Sequence, residues 1–170
     1  TVSTGWGDVK QEKLALQRMF STGELMVPYR MKFQRYYDLR ERVLQDWDDR
    51  MALDAKSAKK ALLLKAAQAL GVAKVNWLGD YYALLKTGLD ALAEELVSEG
   101  RLQQVEVEGW DEMGYVHLDQ MALVESCAEG DLDPSHTTLL SPFDPLISDR
   151  GRTREVFDFD YKLECFTPVK

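Results

Sequence analysis

Cysteine, histidine and proline are scarce in this chain of 170 residues, which holds two, two and five of them. Cys127 and Cys165 form no CxxC, which excludes a disulfide framework and a zinc site of the ribbon type. A reducing cytoplasm is the setting this cysteine usage fits. His117 and His136 stand apart, and no Ser-His-Asp pattern, P-loop or metal-ligand spacing surrounds them. The chain is therefore expected to take no metal and no other cofactor. No apolar run approaches the roughly 18 residues of a membrane helix, so no membrane partner is expected. A signal-peptide pattern and an initiating Met are both missing, and Thr1 reads as the start of an internal piece of a longer protein.

The composition present is 45% hydrophobic and 29% charged, that of a globular chain long enough for one or two small domains. A net charge of −8 argues against nucleic acid for the chain as a whole. The distribution is uneven. Residues 1–50 carry nine Lys/Arg and eight Asp/Glu, residues 51–136 seven and fifteen, and residues 137–170 five and six. The acidity sits in the middle, and both ends can present basic faces.

Taken in order, the pattern predicts a helix over Lys10–Thr22, capped by Asp8 and closed by Gly23, with Leu14, Leu16, Met19 and Phe20 on its apolar side. Leu25–Val27 and Phe33–Leu39 read as strands around a hairpin tip at Pro28–Lys32. Arg40–Arg50 is a charged connector. A helix from about Asp54 to Leu70 should end at Gly71, its inner face made of Ala55, Ala58, Leu62, Ala66 and Ala69. Asn76 can cap a short helix reaching Leu85, and Thr87 with Asp90 a third ending near Glu99. Val105–Val107 and Tyr115–Leu118 alternate like a second hairpin with its tip at Asp111–Gly114.

The two helix-to-hairpin junctions repeat. Phe20-Ser21-Thr22-Gly23-Glu24-Leu25 aligns with Val97-Ser98-Glu99-Gly100-Arg101-Leu102 at an offset of 77 residues. The expected architecture is α+β, with tandem winged helix-turn-helix units followed by the start of a β-rich element. Residues 1–45 would be the recognition helix and wing of a truncated unit whose first helices lie outside this chain. Residues 52–120 would be a complete unit, and residues 137–170 would open the β-rich element.

The C-terminal stretch, Leu139 to Pro168, holds the sharpest pattern. From Phe157 to Cys165 apolar and charged residues alternate, the period of a strand with one buried face. Pro142 and Pro145 make the preceding segment a shaped loop. Arg150, Arg152 and Arg154 lie between. The run Ser141-Pro142-Phe143-Asp144, Leu146, Asp149-Arg150, Arg152, Phe157, Phe159, Tyr161, Glu164 resembles the segment that follows the winged-helix repeats in the YcaQ/AlkZ family of bacterial DNA glycosylases. Ser148 stands where many relatives have Trp, and Asp158 where many have Gly.

That resemblance implies a parent protein that excises bulky alkylated or crosslinked bases by hydrolysing the N-glycosidic bond without a metal. It also implies a catalytic Gln-apolar-Gln or Gln-apolar-Asp motif. Gln104-Val105-Glu106 only approximates it, in the wing of the second unit, and reads as coincidence. No catalytic residue is assigned to this chain, and whether the chain is itself an enzyme stays open.

Double-stranded DNA is the expected partner, through residues 1–50 and 150–154. Lys10, Lys13 and Arg18 on the first helix, Arg30, Lys32 and Arg35 on its hairpin, and Arg152 and Arg154 near the C-terminus are the candidate phosphate contacts. The plainer reading of each is a solvated surface charge or, for the arginine cluster, pairing with Asp144, Asp149, Glu155 or Asp158. Asp144 is more simply an Asx-turn former than a catalytic group. The helix bearing Asp90, Glu94, Glu95 and Glu99 would be repelled by phosphate and suits a structural or protein-facing role. Three readings remain open: a non-catalytic part of a DNA glycosylase, a winged-helix transcription-type regulator, and an acidic protein-interaction module. Oligomeric state is not legible.

Overall fold

A computed structural model describes residues 10–132 and 136–160. The chain divides into two compact units, 1–52 and 53–170. Helices and small antiparallel sheets alternate along it.

In the first unit, helix α1 (Gln11–Ser21) leads through Gly23 into a two-stranded ribbon, β1 (Leu25–Met31) and β2 (Gln34–Leu39). Asp8, the expected cap, lies outside the described residues, and Lys10 takes the N-cap position without a side-chain bond. At the C-terminus the chain reverses because Gly23 adopts φ +79, a conformation that a Cβ disfavours. The ribbon is longer than expected and its tip lies further on. Pro28 sits inside β1, where Val27 and Pro28 face the single residue Tyr37 between the Met26–Asp38 and Tyr29–Tyr36 pairs. That β-bulge is a place where a strand tolerates proline. Met31 pairs with Gln34, so the turn is only Lys32-Phe33, both left-handed at φ 47 and 64. A short helix α2 (Arg40–Val43) and a 3-10 turn at Asp49–Met51 follow within the connector.

The second unit opens with α3 (Ala55–Leu70), an Ala-, Leu- and Lys-rich run free of β-branched residues. The Asp54 carboxylate caps it, accepting from the amides of Lys56 (2.9 Å) and Ser57 (3.1 Å). Its inward face is Leu63, Leu64, Ala66 and Ala67, rotated from the expected set, of which only Ala66 is buried. Strand β3 (Val72–Ala73) was not anticipated, since two residues leave no periodic trace.

Helix α4 (Val75–Tyr81) starts after Lys74, with Asn76 inside it making no cap bond. It stops short of Leu85 because Ala83 turns left-handed at φ 51 while the Leu84 amide reaches back to the Gly79 carbonyl. Helix α5 (Leu89–Ser98) follows Gly88 at φ 77, and neither Gly88 nor Thr87 supplies a side-chain cap, so the expected capping box does not form. Strands β4 (Leu102–Val105) and β5 (Gly114–His117) pair antiparallel, giving sheet order β3-β5-β4. The ladder begins three residues before the expected strand, at Leu102–His117.

The core lies between α3, α4, α5 and this sheet. Leu63, Leu78, Leu89, Leu96, Leu102 and Val116 are fully enclosed, each contributing about 2 kcal/mol of apolar burial. Helix α6 (Met121–Glu129) closes at Gly130.

The C-terminal segment departs from expectation. Arg150–Phe157 is a helix, α7, and not the approach to a strand. Phe157 ends it, Asp158 follows at φ 48, and Phe159 and Asp160 belong to no strand. The remainder of the expected strand, from Tyr161, lies outside the described residues. The cause is local: the Asp149 carboxylate caps the helix, accepting from the Arg152 amide at 2.7 Å. The Thr153 hydroxyl donates to the carbonyls of Ile147 (2.8 Å) and Asp149 (2.7 Å). These bonds hold Arg150–Phe157 as a helix, which takes in the first residue of the alternating stretch.

Candidate nucleic-acid interface

Both helix-to-ribbon junctions are built by the same bonds at the offset of the sequence repeat. The Gly23 amide donates to Phe20 and the Glu24 amide to Met19, as Gly100 does to Val97 and Arg101 to Leu96. The ribbons close on their helices in the same way, Arg40 amide to Glu24 carbonyl at 3.1 Å and Leu118 amide to Arg101 carbonyl at 3.0 Å. What the two units present on this shared frame is opposite in charge.

The first ribbon carries cations. Arg30 and Arg35 face each other across the strands and Lys32 sits in the turn, all exposed. Among the described residues no carboxylate pairs with any of the three. Like charges opposed on adjacent strands destabilise a ribbon, so the arrangement favours a ligand of opposite sign. One rung away the rings of Tyr29 and Tyr36 stack at 4.7 Å, which stiffens the ribbon beneath its tip. The Arg35 guanidinium lies 5.8 Å from the centre of the Phe20 ring, which ties the ribbon to α1. Arg18 and Arg35 line one open hollow between helix and ribbon. Lys10 at the N-cap and Lys13 on α1 are exposed, outside that hollow.

The second unit's helix α5, the counterpart of α1, is acidic and engaged in its own packing. Glu95 on α5 accepts from Lys56 and Lys60 of α3, each at 2.7 Å, and Glu99 accepts from Lys60 at 2.6 Å. The two lysines hold the Glu95 carboxyl below its usual range. Asp90 and Glu94 remain exposed.

The C-terminal arginines separate. Arg152 is buried at 4% exposure, and its guanidinium donates to the Leu146 carbonyl at 3.0 Å and to the Pro145 carbonyl. It also lies 5.9 Å from the centre of the Trp77 ring. Burial pulls its pKa down, partly opposed by Asp149 and Asp80. Its Nη1 finds no partner but is enclosed with the rest of the guanidinium, so the position suits a clamp on the Pro145 loop. Arg154 is exposed and pairs with Asp160 at 2.8 Å. Arg150 is exposed, and the pairing expected for it with a neighbouring carboxylate is not seen among the described residues. Asp144 forms an Asx turn, accepting from the Leu146 amide at 2.9 Å.

Sequence reasoning missed a buried cation. Lys74 reaches Asp111 at 2.7 Å and Glu155 of α7 at 2.6 Å, with its ammonium 5.5 Å from the ring centres of both Trp77 and Trp110. Burial acts to lower its pKa, but the two carboxylates outweigh that and raise it. Only tertiary structure joins residues so far apart along the chain, so no local pattern marks them. The tip residue Phe33 was also missed, because Lys32-Phe33 lacks the Asn or Gly that advertises such a turn. Gln104, of the Gln104-Val105-Glu106 triplet, lies in β4 and donates to the Tyr115 hydroxyl at 3.0 Å. Among the described residues, no group of three or more His, Cys, Asp or Glu is placed to hold a metal ion, and no helix is long and apolar enough to cross a membrane.

The chain is a mixed α+β protein whose exposed ribbon cations, Arg30, Lys32 and Arg35, pair with no carboxylate among the described residues. The family model described as DNA glycosylase AlkZ-like matches residues 2–170, and the chain belongs to that family. Its role is accordingly related to DNA-repair glycosylases, with DNA binding implied by the family. No solved structure matches the chain.

Proposed function

We propose that this chain is the DNA-positioning, non-catalytic part of a glycosylase that acts in the cytoplasm on bulky alkylated or crosslinked bases. Hydrolysis of the N-glycosidic bond would fall to a glutamine-bearing motif elsewhere in the full-length protein. The order α3-β3-α4-α5-β4-β5, with sheet order β3-β5-β4, supports reading residues 52–120 as a winged helix. The matching junction supports reading α1 and its ribbon as the recognition helix and wing of another.

The observation that carries the DNA reading is the cluster Arg30, Lys32 and Arg35, exposed on one ribbon with no acid partner among the described residues. Lys10, Lys13, Arg18 and Arg154 would add weaker phosphate contacts. Arg152 is left out because its guanidinium is buried and holds the Leu146 and Pro145 carbonyls.

The test is duplex binding by the full chain, followed by fluorescence anisotropy between about 50 and 200 mM salt. Affinity should fall as salt rises. The triple reversal Arg30→Glu, Lys32→Glu, Arg35→Glu should weaken binding and flatten the log–log salt slope by about three. Salt-independent binding, or a slope untouched by the reversal, would sink the proposal. The acidity of residues 51–136, with fifteen Asp/Glu against seven Lys/Arg, favours a second reading as a module for a basic protein partner. That reading predicts no duplex affinity even at low salt.

A further inference from the structure

The tip of the first ribbon combines three features that each cost free energy in the isolated chain. Phe33 is 97% exposed, an entire aromatic ring in water at the end of a projecting turn. Lys32 and Phe33 both hold φ in the left-handed region, at 47 and 64, where residues with a Cβ are disfavoured and Asn-Gly is the usual choice. Arg30 stands directly opposite Arg35 just behind them. The bulge at Val27-Pro28 and the Tyr29–Tyr36 stack form the stem that supports this tip. Strain and exposure gathered at one projecting point suggest a built contact surface.

An occupant that relieves the exposure of the ring and the repulsion of the arginines must offer negative charge around an apolar slot. A DNA duplex does so, with phosphates flanking the gap between stacked base pairs. The second ribbon makes the contrast. Its loop between Val105 and Gly114 carries Glu106, Glu108, Asp111 and Glu112, and presents no aromatic at comparable exposure.

We infer that Phe33 is a wedge that enters the DNA stack from the minor groove and kinks the duplex, while Arg30, Lys32 and Arg35 hold the phosphates beside it. The inference rests on the DNA-binding reading above and adds the mode of contact. The minor groove is about 6 Å wide. A full ribbon is too broad for it, but a two-residue turn led by one ring can enter, and side chains inserted this way bend DNA toward the major groove. The kink would open the helix at a step and so favour sites where stacking is already weak, which is the need of a protein that handles damaged bases.

The test uses the full chain and a short duplex labelled with donor and acceptor dyes at its two ends. At saturating protein, energy transfer should rise as the ends approach. Phe33→Gly is the informative variant, because glycine suits the left-handed turn and removes the ring. It should melt no lower than the parent and keep the salt slope. It should also bind about tenfold more weakly and leave the duplex straight. Phe33→Leu, which retains an apolar wedge, should restore most of the bending. Binding without bending, or bending that Phe33→Gly leaves intact, overturns the wedge while sparing the DNA reading. Failure to bind the duplex overturns both.

Discussion

Lys74 stands between two tryptophan rings and two carboxylates, and its own burial makes those partners matter. An ammonium withdrawn from water is retained only when opposite charge replaces the lost solvation. Removing it leaves Asp111 and Glu155 facing a vacated site. Lys74→Ala should therefore destabilise the second unit by about 1–2 kcal/mol in urea unfolding, less than a fully enclosed pair because Asp111 is largely exposed.

The cluster also sets a pH window. Asp111 is held below its ordinary value, chiefly by the hydrogen bond from Lys74. Its contribution is fully present above about pH 4, the ordinary aspartate pKa, and is lost as pH falls through the lower folded-state value. Lys74 is held above its ordinary value, so its contribution is present below about pH 10 and is lost as pH rises through the raised one. Urea midpoints across pH should thus show a neutral plateau that sags at both extremes. Lys74→Ala should flatten both shoulders.

Gly79 gives a packing test at the same scale. A Cβ there would collide with Leu89 Cδ1, and Leu89 is fully buried, so neither partner has room to move. Gly79→Ala should cost about 1–3 kcal/mol in the same assay.

Among elements, the duplicated junction is the most legible feature, because a glycine C-cap is written in local sequence. Gly23 and Gly100 sit at φ 79 and 67 with open space where a Cβ would go, so substitution there probes backbone conformation alone. Gly23→Ala and Gly100→Ala should each cost about 1 kcal/mol. Hydrogen exchange should place the first loss in residues 1–52 and the second in 53–170, because each glycine belongs to a different unit.

Helix α7 teaches the opposite lesson. The alternation from Phe157 onward is real in sequence, yet the bonds of Asp149 and Thr153 hold a helix that runs through Phe157. A period shows what a segment can do if it is free to choose, and a capped neighbour removes part of that choice. The inner face of α3 was misjudged for a related reason. Alanine and leucine surround that helix on several sides, and only its neighbours decide which stripe turns inward.

For the whole molecule, charge divides along the same line as the two units. The first ribbon carries cations that pair with no acid among the described residues, where the second ribbon's loop carries Glu106, Glu108, Asp111 and Glu112, and α5, the counterpart of α1, is acidic and internally paired. A net charge of −8 therefore does not describe the surface that would meet DNA, since screening confines each field to about 10 Å. Bringing the full chain to low salt should reveal binding that net charge alone would forbid.

Sequence by itself determined what depends on neighbours in the chain: helices ending at glycine, the repeat at 77 residues, the Asx turn at Asp144 and the family motif that contains it. Tertiary structure alone decided what depends on residues meeting across the fold. It chose the inward stripe of α3, added β3 to the sheet, set Arg152 against Trp77 and closed Lys74 between distant carboxylates. The physical reason is common to all four: burial and charge pairing are properties of a place in space, and that place exists only once the chain has packed.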